Sequence, residues 1–180
     1  MKLEDKLLNL LLFSPNSEKI KAIAQKLELN YNFAFSNNRI DLQGVWDLRW
    51  SSSYSPFLKY SPFIDNLQIF DPFNLNGLNL LKPRGLKSII GIGILIKLNY
   101  INEKRIGVMF THAGVIGPKF GRKKIKALNE ISNEQKGWLE ITYLSNRLRI
   151  CRGDKGTLFV LRKTNQPTLF RDFMEFIKSL

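Results

Sequence analysis

Alternation between large apolar and polar residues in two stretches constrains the fold of this 180-residue chain more than any other feature. The first stretch, residues 44–51, reads Gly-Val-Trp-Asp-Leu-Arg-Trp-Ser, so Trp46, Leu48 and Trp50 share one face of a β-strand. The second stretch, residues 137–163, contains further strand patterns that are rich in arginine. Because a face of such large side chains must be covered, these opening and closing strands predict a small antiparallel barrel with an apolar interior.

Strand patterns with a period of two recur between these stretches, separated by turn residues such as Asn102-Glu103 and Gly153-Asp154. The pattern fits a sandwich or a barrel, and long strands favour the barrel because closure removes unpaired edges. The predicted strands are residues 44–51, 66–71, 75–81, 87–100, 104–112, 138–144, 147–152 and 157–163.

Helical spacing of leucine and isoleucine predicts two short helices within residues 3–29, with Ser14-Pro15 marking the start of the second. The apolar residues that follow Pro167 predict one final amphipathic helix. The length suits a single domain with one core, 1–180. Its predicted parts are a helical lead-in over 1–30, the barrel over 44–163 and the C-terminal helix over 167–180.

Charge is the main compositional signal, since 28 Lys and Arg oppose 15 Asp and Glu and give a formal net charge of +13. Such a field concentrates anionic partners, and both nucleic acid and anionic membrane qualify. The longest uncharged apolar run, residues 88–96, is too short to span a bilayer. The first residues resemble neither a secretory signal nor a transit peptide, so we expect a cytoplasmic protein.

Residues that usually carry catalysis are sparse in this sequence. His112 and Cys151 are its one histidine and one cysteine, which argues against a metal site, a catalytic relay or a disulfide. The sequence also lacks a phosphate-binding loop and a nucleophile elbow. We therefore predict a protein that is not an enzyme and that uses neither a metal nor a cofactor.

Three motifs together resemble the plastid lipid-associated proteins, also called the PAP/fibrillin family. They are Gly-x-Trp-x-Leu-x-Trp-Ser-Ser from Gly44, Gly-Trp-Leu-x-x-Thr-Tyr-Leu from Gly137, and Leu-Arg-Ile-x-Arg-Gly-Asp-Lys-Gly-x-Leu-Phe-Val-Leu from Leu148. The similarity extends to about Lys163, with a departure at Ser145-Asn146-Arg147, where family members often carry acidic residues. The resemblance implies a lipocalin-like barrel that associates with lipid in photosynthetic cells. With no plastid leader expected, it favours a cyanobacterial protein.

The interior of this barrel is the predicted ligand site. Closed barrels of about eight strands hold either their own side chains or one small ligand. When the alternation in each strand is interpreted as one face inside and one face outside, it assigns a set of large, mostly apolar side chains to the lumen. These candidates are Trp46, Leu48, Trp50, Ile69, Ile106, Val108, Phe110, Leu139, Ile141, Tyr143, Leu148, Ile150, Leu158 and Val160.

Two groups of cations have predicted roles. By analogy with lipocalins, we expect an arginine of a late strand to pack over Trp46 and close the barrel floor. Arg162 is the first choice, because it shares strand parity with Val160, and Arg149 is the alternative. The basic run, residues 119–126, contains five Lys or Arg in eight residues and is predicted as a loop whose cations contact anionic headgroups. Its membrane-facing residues are Lys119, Arg122, Lys123, Lys124 and Lys126.

Together these features predict a non-enzymatic binder of an apolar molecule, such as a prenyl lipid, carotenoid or quinone. The basic face is expected to attach it peripherally to the thylakoid membrane. One alternative is a bilin-binding chaperone or lyase on a lipocalin-like barrel. Nucleic-acid binding is a weaker alternative, supported by charge and exposed aromatic residues.

Overall fold

A computed structural model describes residues 2–29, 31–120, 123–131 and 136–180. Among these residues, no helix is long and apolar enough to cross a membrane. The strands are β1 (Gly44–Ser51), β2 (Ile64–Asp71), β3 (Asn76–Pro83), β4 (Gly91–Tyr100), β5 (Arg105–Phe120), β6 (Lys123–Glu130), β7 (Lys136–Leu144), β8 (Leu148–Gly153) and β9 (Leu158–Thr164). The helices are α1 (Leu3–Phe13), α2 (Lys19–Leu29), α3 (Phe35–Leu42) and α4 (Pro167–Lys178), with a 3₁₀ turn at Pro56–Leu58.

Eight of the strands close into a ring. The sheet order is β4-β3-β2-β1-β9-β8-β7-β5-β6, and β4 also pairs with β5, so the sheet returns to its first strand. Every pairing is antiparallel. The predicted mainly β, barrel-like architecture with a C-terminal helix is therefore confirmed.

Strand β5 is longer than predicted, and it stays paired with β4 as far as Ile116 while its partner on the other side changes. It pairs with β7 from Arg105 to Met109 and with β6 from His112 to Phe120. The β5–β6 hairpin therefore rises beyond one end of the ring. The basic run was predicted as a loop, and this is wrong: its described residues belong to this hairpin. Its alternation was obscured by a glycine and a proline, which usually break strands.

Three apolar clusters pack against the ring, two on its outer face and one in its interior. One cluster joins α4 to the outer face of β1 to β5, including Val45, Leu78 and Phe173. A second joins α1 and α2 to the outer face of β8 and β9. The third contains Trp46 and Ile106 and draws on strands all around the ring, so it fills the interior.

Helix α3 lies across one end of the ring and was not predicted, so the described residues before β1 form three helices rather than the predicted two. The residue before it, Ala34, supplies no side-chain cap. A distant residue supplies one instead: Glu103, in the β4–β5 turn, accepts hydrogen bonds from the Ser36 amide and hydroxyl, both at 3.0 Å. At the other end of α3, the Trp46 indole donates to the Leu42 carbonyl at 2.9 Å. These contacts fix α3 as the floor of the ring.

The turn that departs from the family pattern has a structural role. Arg147 reaches the first turn of α1, where its guanidinium lies 2.8 Å from both Glu4 and Asp5. The hydrogen bond from Arg147 holds the pKa of the Asp5 carboxyl below its usual value. An acidic residue at this position would repel these two carboxylates, so the departure matches the acidic start of α1.

Candidate ligand cavity

A cavity of about 680 Å³ occupies the interior of the ring, a volume within the range typical of small-molecule sites. It opens at the end where β7 and β9 begin, opposite α3. Its walls come from β2, β3, β4, β5, β7 and β9, so it belongs to the interior rather than to one side of the sheet. The lining residues include Leu58, Gln68, Phe70, Asn79, Ile96, Val108, Phe110, Leu139, Thr157 and Phe159.

The structure places about half of the predicted lumen residues in the interior. Of these, Val108, Phe110 and Leu139 line the cavity directly. The others pack with them or in the cluster beneath. The interior set is Trp46, Leu48, Ile106, Val108, Phe110, Leu139 and Ile141.

The remaining candidates face outward, and their predicted placement in the lumen is wrong. Ile69 packs in the cluster that contains α4. The others contact the cluster of α1 and α2: Trp50, Tyr143, Leu148, Ile150, Leu158 and Val160.

Two physical causes explain these outward placements. The β1–β9 pairing shifts register between Leu48 and Trp50, and the β7–β8 pairing shifts between Ile141 and Tyr143. Each shift inserts one extra residue and turns the next side chain to the other face. In β8 and β9, helices cover the outer face, so both faces are buried, and the more apolar face of β8 is the outer one.

The prediction also missed interior residues. Phe70, Ile96 and Phe159 line the cavity, and Gln68 and Asn79 add two amides to its surface. Ile96 lies in β4, which carries apolar residues on both faces. In β2, alternation places Gln68 and Phe70 on one face and Ile69 on the other, and this pattern could have identified Phe70 as an interior residue.

Arg149 closes the base of the interior, as the alternative prediction proposed. It is fully buried, and its guanidinium carbon lies 5.0 Å from the Trp46 ring centre and 4.8 Å from that of Phe70. Its Nη2 donates a hydrogen bond to Gln68 Oε1. Contact with two aromatic faces and an amide stabilises this buried cation.

The first prediction, that Arg162 closes the floor, is wrong because Arg162 lies on the outer face. It pairs in register with Asp47, and its guanidinium is 3.9 Å from the Asp47 carboxylate. The two residues share a charged cleft with α1. Leu161, its neighbour in sequence, points into the interior and pairs in register with Arg149.

Two ionisable groups of the interior, Arg149 and Cys151, are fully buried. Burial lowers the pKa of the Arg149 guanidinium and raises that of the Cys151 thiol. A buried thiol with a raised pKa is a weak nucleophile. Across the described ranges, no three His, Cys, Asp or Glu side chains are grouped to hold a metal ion.

The lysines of the β5–β6 hairpin lie against the C-terminal half of α4. Lys119 is 3.4 Å from Glu175, and Lys126 donates to the Ser179 carbonyl at 3.2 Å. Lys124 lines the same groove, where burial lowers its pKa. Arg122 and the side chain of Lys123 lie outside the described residues.

Comparison of the sequence with known protein families agrees with the resemblance of its three motifs. The sequence profile described as PAP_fibrillin matches residues 11–162, most of the chain. The chain belongs to the PAP/fibrillin family. The matched residues include the ring and its interior, from β1 to most of β9.

A curated relative of this PAP/fibrillin protein is a probable plastid-lipid-associated protein 12, chloroplastic, from Arabidopsis thaliana. The two are 56% identical over 39 residues, which are 21% of this chain and 10% of the relative. The matched segment therefore spans a small part of that relative. No solved structure matches the chain significantly.

Proposed function

We propose that this PAP/fibrillin protein binds one apolar small molecule with a polar end inside its ring, without catalysing a reaction, and associates peripherally with photosynthetic membranes. A prenyl quinone is the ligand class that fits best. The observation that carries the proposal is the interior cavity of about 680 Å³, walled mainly by apolar side chains.

The apolar part of the cavity is suited to an isoprenoid or alkyl tail. Phe70, Ile96, Val108, Phe110 and Leu139 come from four strands and surround the space from different directions. Removing a tail from water into such a pocket contributes about 0.8 kcal/mol for each buried methylene. The cavity is open at one end, so a tail longer than the ring can extend beyond the mouth.

The amide of Gln68 favours a ligand that has a hydrogen-bond acceptor at its inner end. Arg149 donates to Gln68 Oε1, which fixes the orientation of this amide. The Nε2 hydrogens then remain as the donors that Gln68 can offer to a ligand in the cavity. A quinone carbonyl would accept such a bond, whereas a pure hydrocarbon would leave it unused.

Charge supports the membrane part of the proposal. The net charge of +13 favours approach to anionic lipid surfaces, where each nearby Lys or Arg contributes about 1 kcal/mol. The relative's name also associates that protein with plastid lipid.

A pair of substitutions at opposite ends of the ring tests ligand binding. Val108→Phe places a benzyl group in the cavity, whereas Ile40→Phe makes a change of similar size on the exposed face of α3 at the closed end. We expect the first variant to lose binding of a short-tailed benzoquinone, measured by quenching of tryptophan fluorescence in solution. The second should bind like the parent protein, with equal thermal stability in both variants as the folding control.

Extraction of the purified protein with organic solvent, followed by mass spectrometry, identifies the class of any ligand carried from the cell. Equal quinone binding by the parent protein and Val108→Phe would show that the interior is not the site. A coloured complex with a bilin, together with no binding of quinones, would show that the ligand is a bilin and not a prenyl quinone.

A further inference from the structure

The inner face of the ring continues as an exposed apolar wall beyond the cavity mouth. Ile92 lies on β4 on the same face as the cavity residue Ile96, four residues away. In register beside Ile92 stand Leu81 on β3 and Val115 on β5. Ile92, Val115 and Ile125 are all exposed, because β7 leaves β5 at Met109 and provides no opposite wall.

A second group of exposed apolar side chains lies at the same end, in the segment that joins β1 to β2. The exposed fractions are 99% for Tyr54, 70% for Phe57 and 80% for Phe63. Hydrogen bonds hold the backbone of this segment, with Ser51 Oγ donating to the Leu58 carbonyl and Asn66 Nδ2 to the Phe57 carbonyl, both at 2.7 Å. The aromatic side chains are therefore presented to solvent by an ordered loop.

Cations accompany these apolar groups. Lys59 is exposed within the aromatic loop, and its ammonium is 6.0 Å from the Tyr54 ring centre. Lys136 and Lys155 are exposed and line the cavity mouth together with the exposed Asp154, so lysines outnumber carboxylates there. Aromatic and apolar side chains beside lysines are the combination that binds the interface of an anionic bilayer.

The opposite end also exposes apolar groups, but in a different setting. Ile40 of α3 is 77% exposed, and Phe73 lies in the β2–β3 turn. Here α3 covers the ring, and both signs of charge are present, with Glu103 beside α3 and Lys163 donating to the Asp41 carbonyl. The closed floor separates these apolar groups from the cavity.

We infer that the open end of the ring is the membrane-docking face, seated on an anionic lipid bilayer with Tyr54, Phe57 and Phe63 inserted among the headgroups. The exposed wall of Ile92, Val115 and Ile125 then forms an apolar path between the bilayer and the cavity. Ligand passes along this path without crossing water. This inference rests on the proposed function, because it assigns a route to the same cavity.

Two double variants, at exposed apolar positions of opposite ends of the ring, test the docking face. Phe57→Asp with Phe63→Asp removes the mouth aromatics, and Ile40→Asp with Phe73→Asp makes the same change at the floor. We expect the mouth variant to lose about tenfold or more of its affinity for vesicles of equal parts phosphatidylcholine and phosphatidylglycerol, measured by flotation, because the aromatic rings no longer leave water. The floor variant should bind like the parent protein.

A second measurement does not depend on disruptive changes. Phe57→Trp and Ile40→Trp are compared in vesicles that contain brominated phosphatidylcholine, which quenches tryptophan inside the bilayer. Additional quenching, relative to the parent protein, is expected for Phe57→Trp alone. Quenching confined to Ile40→Trp, equal losses in both double variants, or no vesicle binding by the parent protein would overturn the inference.

Quinone binding in vesicle-free solution separates this inference from the proposed function. A mouth variant that still binds the short-tailed benzoquinone but not vesicles supports both. If the parent protein docks through its mouth but binds no quinone, the docking face stands and the proposed ligand fails.

Discussion

The two ends of the ring are built in opposite ways. At the floor, the Trp46 indole donates to the Leu42 carbonyl of α3. The Arg149 guanidinium carbon and the Lys163 ammonium lie 5.0 Å and 5.1 Å from the Trp46 ring centre. At the mouth, strands end in loops, and Tyr54, Phe57 and Phe63 face solvent. The fold is closed and cross-linked where it carries the core, and it is open where the proposed ligand enters.

This difference indicates how one ring combines stability with access. Fixed, buried contacts at one end hold the eight strands in register, so the other end does not need its own covering helix. We expect substitutions at the floor to change the free energy of unfolding, and substitutions at the mouth to change ligand or lipid binding. The predictions below test this division, in order of decreasing effect.

The largest effect is expected from Trp46→Ala. Trp46 is fully buried, packs in the interior cluster and anchors the end of α3. Its removal should lower the free energy of unfolding by about 3–5 kcal/mol. The matched control, Trp138→Ala, removes a half-buried indole near the mouth that stacks with Arg105, and should cost less than about 2 kcal/mol. Urea unfolding measures both, and equal costs would contradict the division between floor and mouth.

A smaller and more specific effect is expected from Gln68→Glu, where the floor meets the cavity. The new carboxylate keeps the contact with Arg149, but it has no N–H to donate to a ligand. Affinity for the short-tailed benzoquinone should fall about fivefold, the loss expected for one net hydrogen bond. Affinity for an alkylbenzene with the same tail should not change. An equal fall for both ligands would show that Gln68 does not recognise the quinone carbonyl.

The architecture could be predicted from sequence because its signal is local. Alternation in residues such as Trp46 and Leu48 indicates a strand with one covered face, and repeated short strands indicate an antiparallel sheet. Face assignment failed where this signal is absent. Leu148 and Ile150 looked like lumen residues, but their face packs against α1 and α2, while Arg149 lies inside.

Features that depend on contacts between distant residues could not be predicted. The register shifts beside Trp50 and Tyr143 arise from pairing with other strands. Helix α3 was missed because its capping carboxylate comes from Glu103 and not from its own first turn. The cavity volume is likewise a property of packing, since it depends on which side chains fill the ring.

The smallest expected effect concerns pH at the floor. Hydrogen bonds from the Ser36 amide, Tyr100 and the Ser36 hydroxyl hold the pKa of the Glu103 carboxyl below its usual value. A carboxyl whose pKa is lowered on folding contributes stability above its unfolded pKa of about 4.3, and this contribution is lost as the pH falls through the folded pKa. Hydrogen exchange, corrected for its intrinsic dependence on pH, should therefore show α3 amides losing protection on acidification while β8 amides keep theirs. In Glu103→Gln, α3 should be less protected at neutral pH, and this loss on acidification should be absent. The same acid response in parent and variant would show that Glu103 does not hold α3 on the floor.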